Sequence, residues 1–237
     1  MDFTEAQLMV KQVKAEYGIQ LPAVTQVLTK TKIPFDTWMA KLEAGIDIDA
    51  ERDRLMKTNK HIKAATSRGR KVAKAIENAD KDHEDPLIDA VLKRMKKCMR
   101  GYKVKHREAT VSYDQLFWGR VDLIGLYKGE MVIADNKSVN NPLPRYRRGD
   151  NIGDVAERAY KDYAMQLAAY TAAYNKMFDT NLDKGLLFFV EGKEIDALEH
   201  TVVEVNTNDY FDQFMERLDD YNRREKIMLE RKLQYYA

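Results

Sequence analysis

Residues 119–138 read GRVDLIGLYKGEMVIADNKS, two apolar runs joined at Lys128-Gly129. Short runs rich in β-branched residues on either side of a Lys-Gly pair predict a buried antiparallel hairpin. With those two residues as the turn, Asp122 falls opposite Asp135, and Arg120 opposite Lys137. Strand side chains alternate between faces, so Asp122, Asp135 and Lys137 project the same way. Directly opposed side chains have Cβ atoms about 4.5–5.5 Å apart, which lets two carboxylates share one divalent ion. Like charges so placed destabilise a sheet unless something positive lies between them. Surface hairpins also carry Asp and Lys merely as solubilising residues, and a D-x-K triplet arises by chance in many sequences. Here the acids interrupt runs that are apolar on both faces (Leu123, Ile124, Val132, Ile133). An unpaired carboxylate in such a setting is strongly disfavoured, which weighs for a site.

At 237 residues, 44% hydrophobic and 33% charged, the chain has the size of one domain and the composition of an ordinary globule. The expected organisation is one domain over 1–237: a mainly helical region over 1–100, a sheet and its helix over 101–206, and a C-terminal helix over 207–237. A single cysteine, Cys98, excludes an intrachain disulfide framework and a four-cysteine iron–sulfur cluster. No apolar run is long enough to span a membrane, and the start MDFTEAQLMVKQ lacks a signal-peptide or transit pattern. The expected setting is therefore cytoplasmic, in a bacterial or phage-infected cell, with a processed mitochondrial form as the other option. Net charge is only +2, yet residues 51–107 hold 18 Lys and Arg against 8 Asp and Glu. That segment, including Arg70 and Lys71, has the charge to hold a polyanion, although solvated helix faces look similar.

The periodicity predicts a helix over 4–17 with Thr4 as N-cap, then two short helices over 22–42 broken at Pro34 with Trp38 turned inward. One basic helix is expected over 47–79 and another over 86–100. Residues 102–117 read as a strand leading into the hairpin, with His106, Glu108 and Tyr113 as its polar members. The stretch NNPLPRYRRGDNIGD carries Arg145, Arg147 and Arg148 and no regular pattern, a loop suited to substrate contact or gating. A helix over 155–178 follows, with Gln166 and Tyr170 four apart on one face. Taken alone, those two are a core aromatic and its polar neighbour. A second hairpin, 184–190 and 198–206, precedes a C-terminal helix from about 207 to 235.

Paired carboxylates on a rigid hairpin, with an ammonium beside them, suit phosphodiester hydrolysis assisted by Mg²⁺ or Mn²⁺. Asp122, Asp135 and the backbone carbonyl of Asn136 would hold the ion, and Lys137 would orient or help deprotonate the attacking water. The sequence D-x(12)-D-x-K resembles the PD-(D/E)XK nuclease superfamily. Within it the likeness is to the RecB-type branch, nearest the mitochondrial genome maintenance exonuclease family and its phage and bacterial relatives. Four segments carry the resemblance in order: LPAVTQVL, SRGRKVAKAIE, the hairpin, and MQLAAYTAAY with its Q-x-x-x-Y pattern. The resemblance implies an α/β restriction-endonuclease-like core of αβββαβ type, with a central mixed sheet flanked by helices and a helical N-terminal region. It also implies divalent-metal dependence and exonuclease action on DNA, preferentially single-stranded, in replication, recombination or degradation. It raises Gln166 and Tyr170 to site residues, Gln166 near the substrate phosphate or Lys137 and Tyr170 buttressing the site. The nucleic acid would meet Arg70, Lys71, Arg120, Arg145, Arg147 and Arg148.

One position departs. The family's glycine-led helix places a metal-binding histidine where this chain has Ala73. Three explanations fit: a deliberate inactivating substitution, favoured because every other motif is intact; natural divergence with Glu77 compensating; or an alignment slip in which His61 or His83 serves. Each leaves metal binding weaker or limited to one ion unless another group compensates. A DNA-binding module without turnover, a duplex-specific exonuclease and a structure-specific endonuclease are the competing functions.

Overall fold

The computed structural model describes residues 2–17, 20–78, 82–139 and 154–236. Helices α1 (Phe3–Tyr17), α2 (Val24–Lys30), α3 (Phe35–Glu43), α4 (Ile48–Thr58), α5 (Lys60–Glu77) and α6 (Pro86–Cys98) precede strands β1 (Tyr102–Tyr113), β2 (Phe117–Tyr127) and β3 (Glu130–Val139). Helix α7 (Asp154–Phe178) crosses to β4 (Lys184–Glu191), a 3-10 turn over Ile195–Ala197 leads to β5 (Glu199–Asn206), and α8 (Asn208–Tyr236) closes the chain. The five strands lie in sequence order in one mixed sheet, antiparallel except for the parallel pair β3–β4 that α7 connects. This is the α/β mixed sheet flanked by helices that the sequence predicts.

Each face of the sheet carries its own apolar cluster. On one, Val24 and Val27 of α2, Leu167 and Ala169 of α7, and Phe214 and Leu218 of α8 pack with Val111, Ile124, Ile133 and Phe189. On the other, Val72 of α5 and Ile88, Val91 and Met95 of α6 pack with Leu123, Val132, Leu186 and Phe188. With helices on both faces, β3 and β4 have little need of polar residues, which explains why their sequences are nearly continuous apolar runs. Any charged residue among them therefore stands out.

Three local expectations change. The helix expected over 47–79 is two, because Asn59 adopts an extended conformation (φ −79, ψ 103) between α4 and α5. Helix α1 is capped not by Thr4 but by a reciprocal pair: Asp2 Oδ1 accepts from Glu5 N and Glu5 Oε2 from Asp2 N. This is a capping box with Asp in the leading position. The strand expected over 102–117 ends at Tyr113, and Phe117 already belongs to β2. Asp114, at φ +47, makes the turn between them. The breaks at Pro34 and the inward Trp38, 7% exposed, are as expected.

Candidate active site

The central turn forms at Lys128-Gly129, whose φ values of +52 and +90 fit the two left-handed positions of a type I′ hairpin. The register follows: Tyr127 pairs with Glu130, Ile124 with Ile133 and Leu123 with Ala134. The ladder stops there, one position short of Asp122 and Asp135. Instead of a main-chain bond, Asp122 Oδ2 accepts the N–H of Asn136 at 3.0 Å. From Ile133 onward β3 pairs in parallel with β4, Asp135 beside Leu187 and Lys137 beside Phe189. Arg120 and Lys137, expected opposite one another, lie beyond the end of the β2–β3 pairing. The strands thus part where the acids stand, opening a polar gap inside an apolar sheet.

Asp135 is 1% exposed, and its Oδ2 lies 2.5 Å from Lys137 Nζ. Lys137 Nζ also donates to Gln166 Oε1 at 3.1 Å. The amide nitrogen of Gln166 donates to Asp135 Oδ1 at 3.3 Å and to Tyr170 Oη at 3.0 Å. Two residues of α7 thereby hold two residues of β3. The arrangement depends on Gly119: a Cβ there would lie 2.8 Å from Tyr170 Cδ1 and closer still to Cε1. The first residue of the hairpin motif is glycine because the Tyr170 ring lies directly over it.

Electrostatics bind the group together. Burial, and then the charge of Asp135, raise the Asp122 carboxyl to about 7 against Lys137 and the Asn136 N–H, which lower it. Burial pulls the Lys137 ammonium down, but Asp135 and Asp122 outweigh it and its pKa rises. Lys137 is held charged between the acids. Asp135 Oδ2, apart from its ion pair, and the Asn136 side-chain Oδ1 are buried oxygens that accept no hydrogen bond among the described residues. In a strand the N–H and C=O of one residue leave from the same edge, so the Asn136 carbonyl faces the gap where its N–H meets Asp122. Two carboxylates and a main-chain carbonyl are hard oxygen donors, which fits a divalent cation such as Mg²⁺ or Mn²⁺; the Asn136 side chain, alternating with Asp135 and Lys137, lies on the other face of the sheet. Among the described residues no set of three His, Cys, Asp or Glu gathers as metal ligands.

The hairpin and α7 bring Asp122, Asp135, Asn136, Lys137, Gln166 and Tyr170 together. Arg120, expected to meet nucleic acid, has its Nε 2.5 Å from Glu108 and a terminal nitrogen 3.9 Å from Glu77. Glu77 accordingly faces Arg120. Ala73 and Arg70 are exposed on α5, and Lys71 lies 3.5 Å from Asp85. His83 accepts the Asp85 N–H at the start of α6. The side chain of His61 and the loop with Arg145, Arg147 and Arg148 lie outside the described residues.

Sequence reasoning missed the importance of Glu108. Its neighbours pair as Ala109 with Val121 and Arg107 with Leu123, which sets it across from Asp122. It has φ +49, uncommon for a residue with a side chain. Burial raises its carboxyl, Arg120 lowers it, and Glu77 and Asp135 raise it further. The only sequence signal was a lone acid in an alternating strand. Tyr163, whose ring lies under Lys137, was missed as well.

The sequence model of the PD-(D/E)XK nuclease superfamily matches residues 12–231. No curated protein matches the chain. A solved structure, described as the crystal structure of SSO0001, aligns with 71% of this chain and 69% of that one at 13% identity. Its TM-score of 0.30 is too low to bear on the fold.

Proposed function

The chain belongs to the PD-(D/E)XK nuclease superfamily, and from that premise we propose a metal-dependent nuclease acting on DNA, an exonuclease that prefers single-stranded ends. The observation that carries the catalytic assignment is the closed set of contacts Asp122–Asn136, Asp135–Lys137, Lys137–Gln166 and Gln166–Tyr170. The finer reading, a RecB-type enzyme akin to the mitochondrial genome maintenance exonuclease and its phage and bacterial relatives, is supported by four motifs in order. It assigns the whole of 1–237 to one nuclease domain working in a bacterial or phage-infected cytoplasm, in replication, recombination or DNA degradation. Among the described residues no helix is long and apolar enough to cross a membrane.

Asp122, Asp135 and the Asn136 carbonyl would hold the divalent ion, which supplies charge neutralisation at the scissile phosphate and acidifies water. Lys137, cationic and fixed by Asp135 and Gln166, orients the attacking water and faces the charge that develops on phosphate oxygens. Gln166 keeps Lys137 and Asp135 in register with one another, and Tyr170 fixes the amide of Gln166. Arg70, Lys71 and the arginines 145, 147 and 148 supply phosphate contacts, and Arg120 joins them if DNA displaces Glu108. Such contacts position a backbone without reading sequence.

A second reading, a DNA-binding module without turnover, is favoured by Ala73, which offers no ligand atom. A time course on 5′- and 3′-labelled single- and double-stranded DNA with Mn²⁺ or Mg²⁺, run beside Ala73→His, decides between them. End-directed loss of label from single strands is the expected result. Equal digestion by both proteins shows that Ala73 is compatible with a complete site, whereas histidine-dependent digestion shows a disabled one. Retention of DNA with no cleavage by either protein establishes the binding module instead.

A further inference from the structure

We propose that Tyr163 is a positioning residue for Lys137, its ring serving as the wall that holds the ammonium toward the reacting phosphate. The inference rests on the catalytic role given to Lys137 above. Lys137 Nζ lies 4.9 Å from the centre of the Tyr163 ring. An ammonium within about 6 Å of an aromatic face is attracted by the ring's negative face, most strongly where water is excluded. The Lys137 side chain is only 18% exposed. Asp135 and Gln166 hold the same nitrogen by polar contacts, and the ring is its third, apolar support.

The ring is itself fixed. It packs on Phe189 with centroids 5.8 Å apart and planes inclined by 54°. Phe189 is the residue paired with Lys137 across the parallel ladder. Paired residues present their side chains on one face of a sheet, so the Tyr163 ring rests on both at once. Along α7, Tyr163, Gln166 and Tyr170 are spaced three and four apart and share one face. The helix therefore delivers a ring, an amide and a second ring to the same lysine–aspartate pair. A lysine has four rotatable bonds and would otherwise sample many positions. With the ring in place the route away from Asp135 is closed on the α7 side. Among the described residues no hydrogen bond of the Tyr163 hydroxyl enters this arrangement, so the ring face is the working part.

The test compares Tyr163→Phe, Tyr163→Leu and Tyr163→Met with the parent chain. In metal-free protein labelled with ε-¹³C lysine, the Lys137 signal is identified by its loss in Lys137→Arg. A ring-current displacement of that signal is expected in the parent and in Tyr163→Phe, and its disappearance in the Leu and Met variants. With Mn²⁺ and DNA, Leu and Met should lower kcat roughly tenfold with KM changed less than about twofold, and Phe should stay near the parent. Having two non-aromatic variants keeps the comparison available if one fails to fold. An undisplaced signal in the parent overturns the proposal, as does a raised KM at unchanged kcat, which would make the ring a substrate contact. Loss of kcat in Tyr163→Phe also overturns it, since the hydroxyl would then carry the effect. Full turnover by Lys137→Ala instead removes the catalytic reading of Lys137, while the metal-free spectra report the ring contact separately.

Discussion

Asp135 is buried at 1% exposure, yet it is held by an ammonium and an amide rather than left alone. Removing its charge or that of Lys137 takes away half of an ion pair whose other half stays buried, at a cost of about 3 kcal/mol or more. Asp135→Asn keeps the shape and leaves Lys137 bonded to Gln166. Its expected outcome is a folded protein, by circular dichroism, with cleavage of labelled DNA down more than about a hundredfold. Lys137→Ala should lose activity to the same degree while retaining DNA on a filter. Loss of folding in Asp135→Asn would point to a purely structural charge. Gly119 gives a prediction of a different kind. Adding one methyl forces the Tyr170 ring to move, and overpacking of that kind costs about 1–3 kcal/mol. Gly119→Ala should lower the urea midpoint and slow cleavage together, since the displaced ring no longer fixes Gln166. The acid pair and the lysine were legible because charges inside apolar runs conflict with burial. Glu108 was not, since a left-handed backbone at a non-glycine residue leaves no mark in a sequence.

Among the elements, the central hairpin was legible to the register, because Lys-Gly demands a left-handed turn and the turn sets every pair behind it. The end of that ladder was not legible: it depends on β4, which reaches β3 only through the α7 crossover. The break at Asn59 was missed because both flanking segments are helix-forming and no proline or glycine stands between them. Helix α8 shows a long-range device that pattern reading does not reach. Arg217 donates to the Leu28 carbonyl and to Thr31, and Arg224 donates to the Lys30 and Ile33 carbonyls. Two arginines thus satisfy the free carbonyls at the end of α2 from about 190 residues away, a separation that costs little more to close than a short one. Arg224 is 3% exposed and doubly bonded to Asp220. Arg224→Ala should lower stability by about 3 kcal/mol, read as a fall in melting temperature, with residual cleavage per folded molecule unchanged. A fall in specific activity larger than the loss of folded protein would show that α8 also shapes the site. On α5, Arg70→Gln with Lys71→Gln should flatten the dependence of DNA affinity on salt by one to two phosphate contacts, measured by fluorescence anisotropy. An unchanged slope removes that helix face from the interface.

At the scale of the molecule, a divalent ion that meets Asp122 and Asp135 only in the folded chain stabilises folding by mass action, about 2.7 kcal/mol at a hundred times its Kd. Melting curves with Mn²⁺ or Mg²⁺ should therefore shift upward with concentration, and Asp122→Asn should abolish most of the shift. A shift of equal size in that variant would place the ion elsewhere. The order of strands and helices was legible from the residues, whereas the mixed sheet flanked by helices was implied by the resemblance to the superfamily. The charge excess of residues 51–107 resolved only partially, with Lys71 facing Asp85, Arg107 donating to the Ile76 carbonyl, and Arg68 buried on the Gly192 carbonyl. The gap where β2 and β3 diverge also has a consequence in time. Its two acids lie on one local hairpin, which closes within microseconds, whereas Gln166 and Tyr170 reach it only after the crossover helix docks. Until α7 docks, the chain carries its two acids without the fixed lysine that hydrolysis needs, so the site is complete only when the whole sheet is.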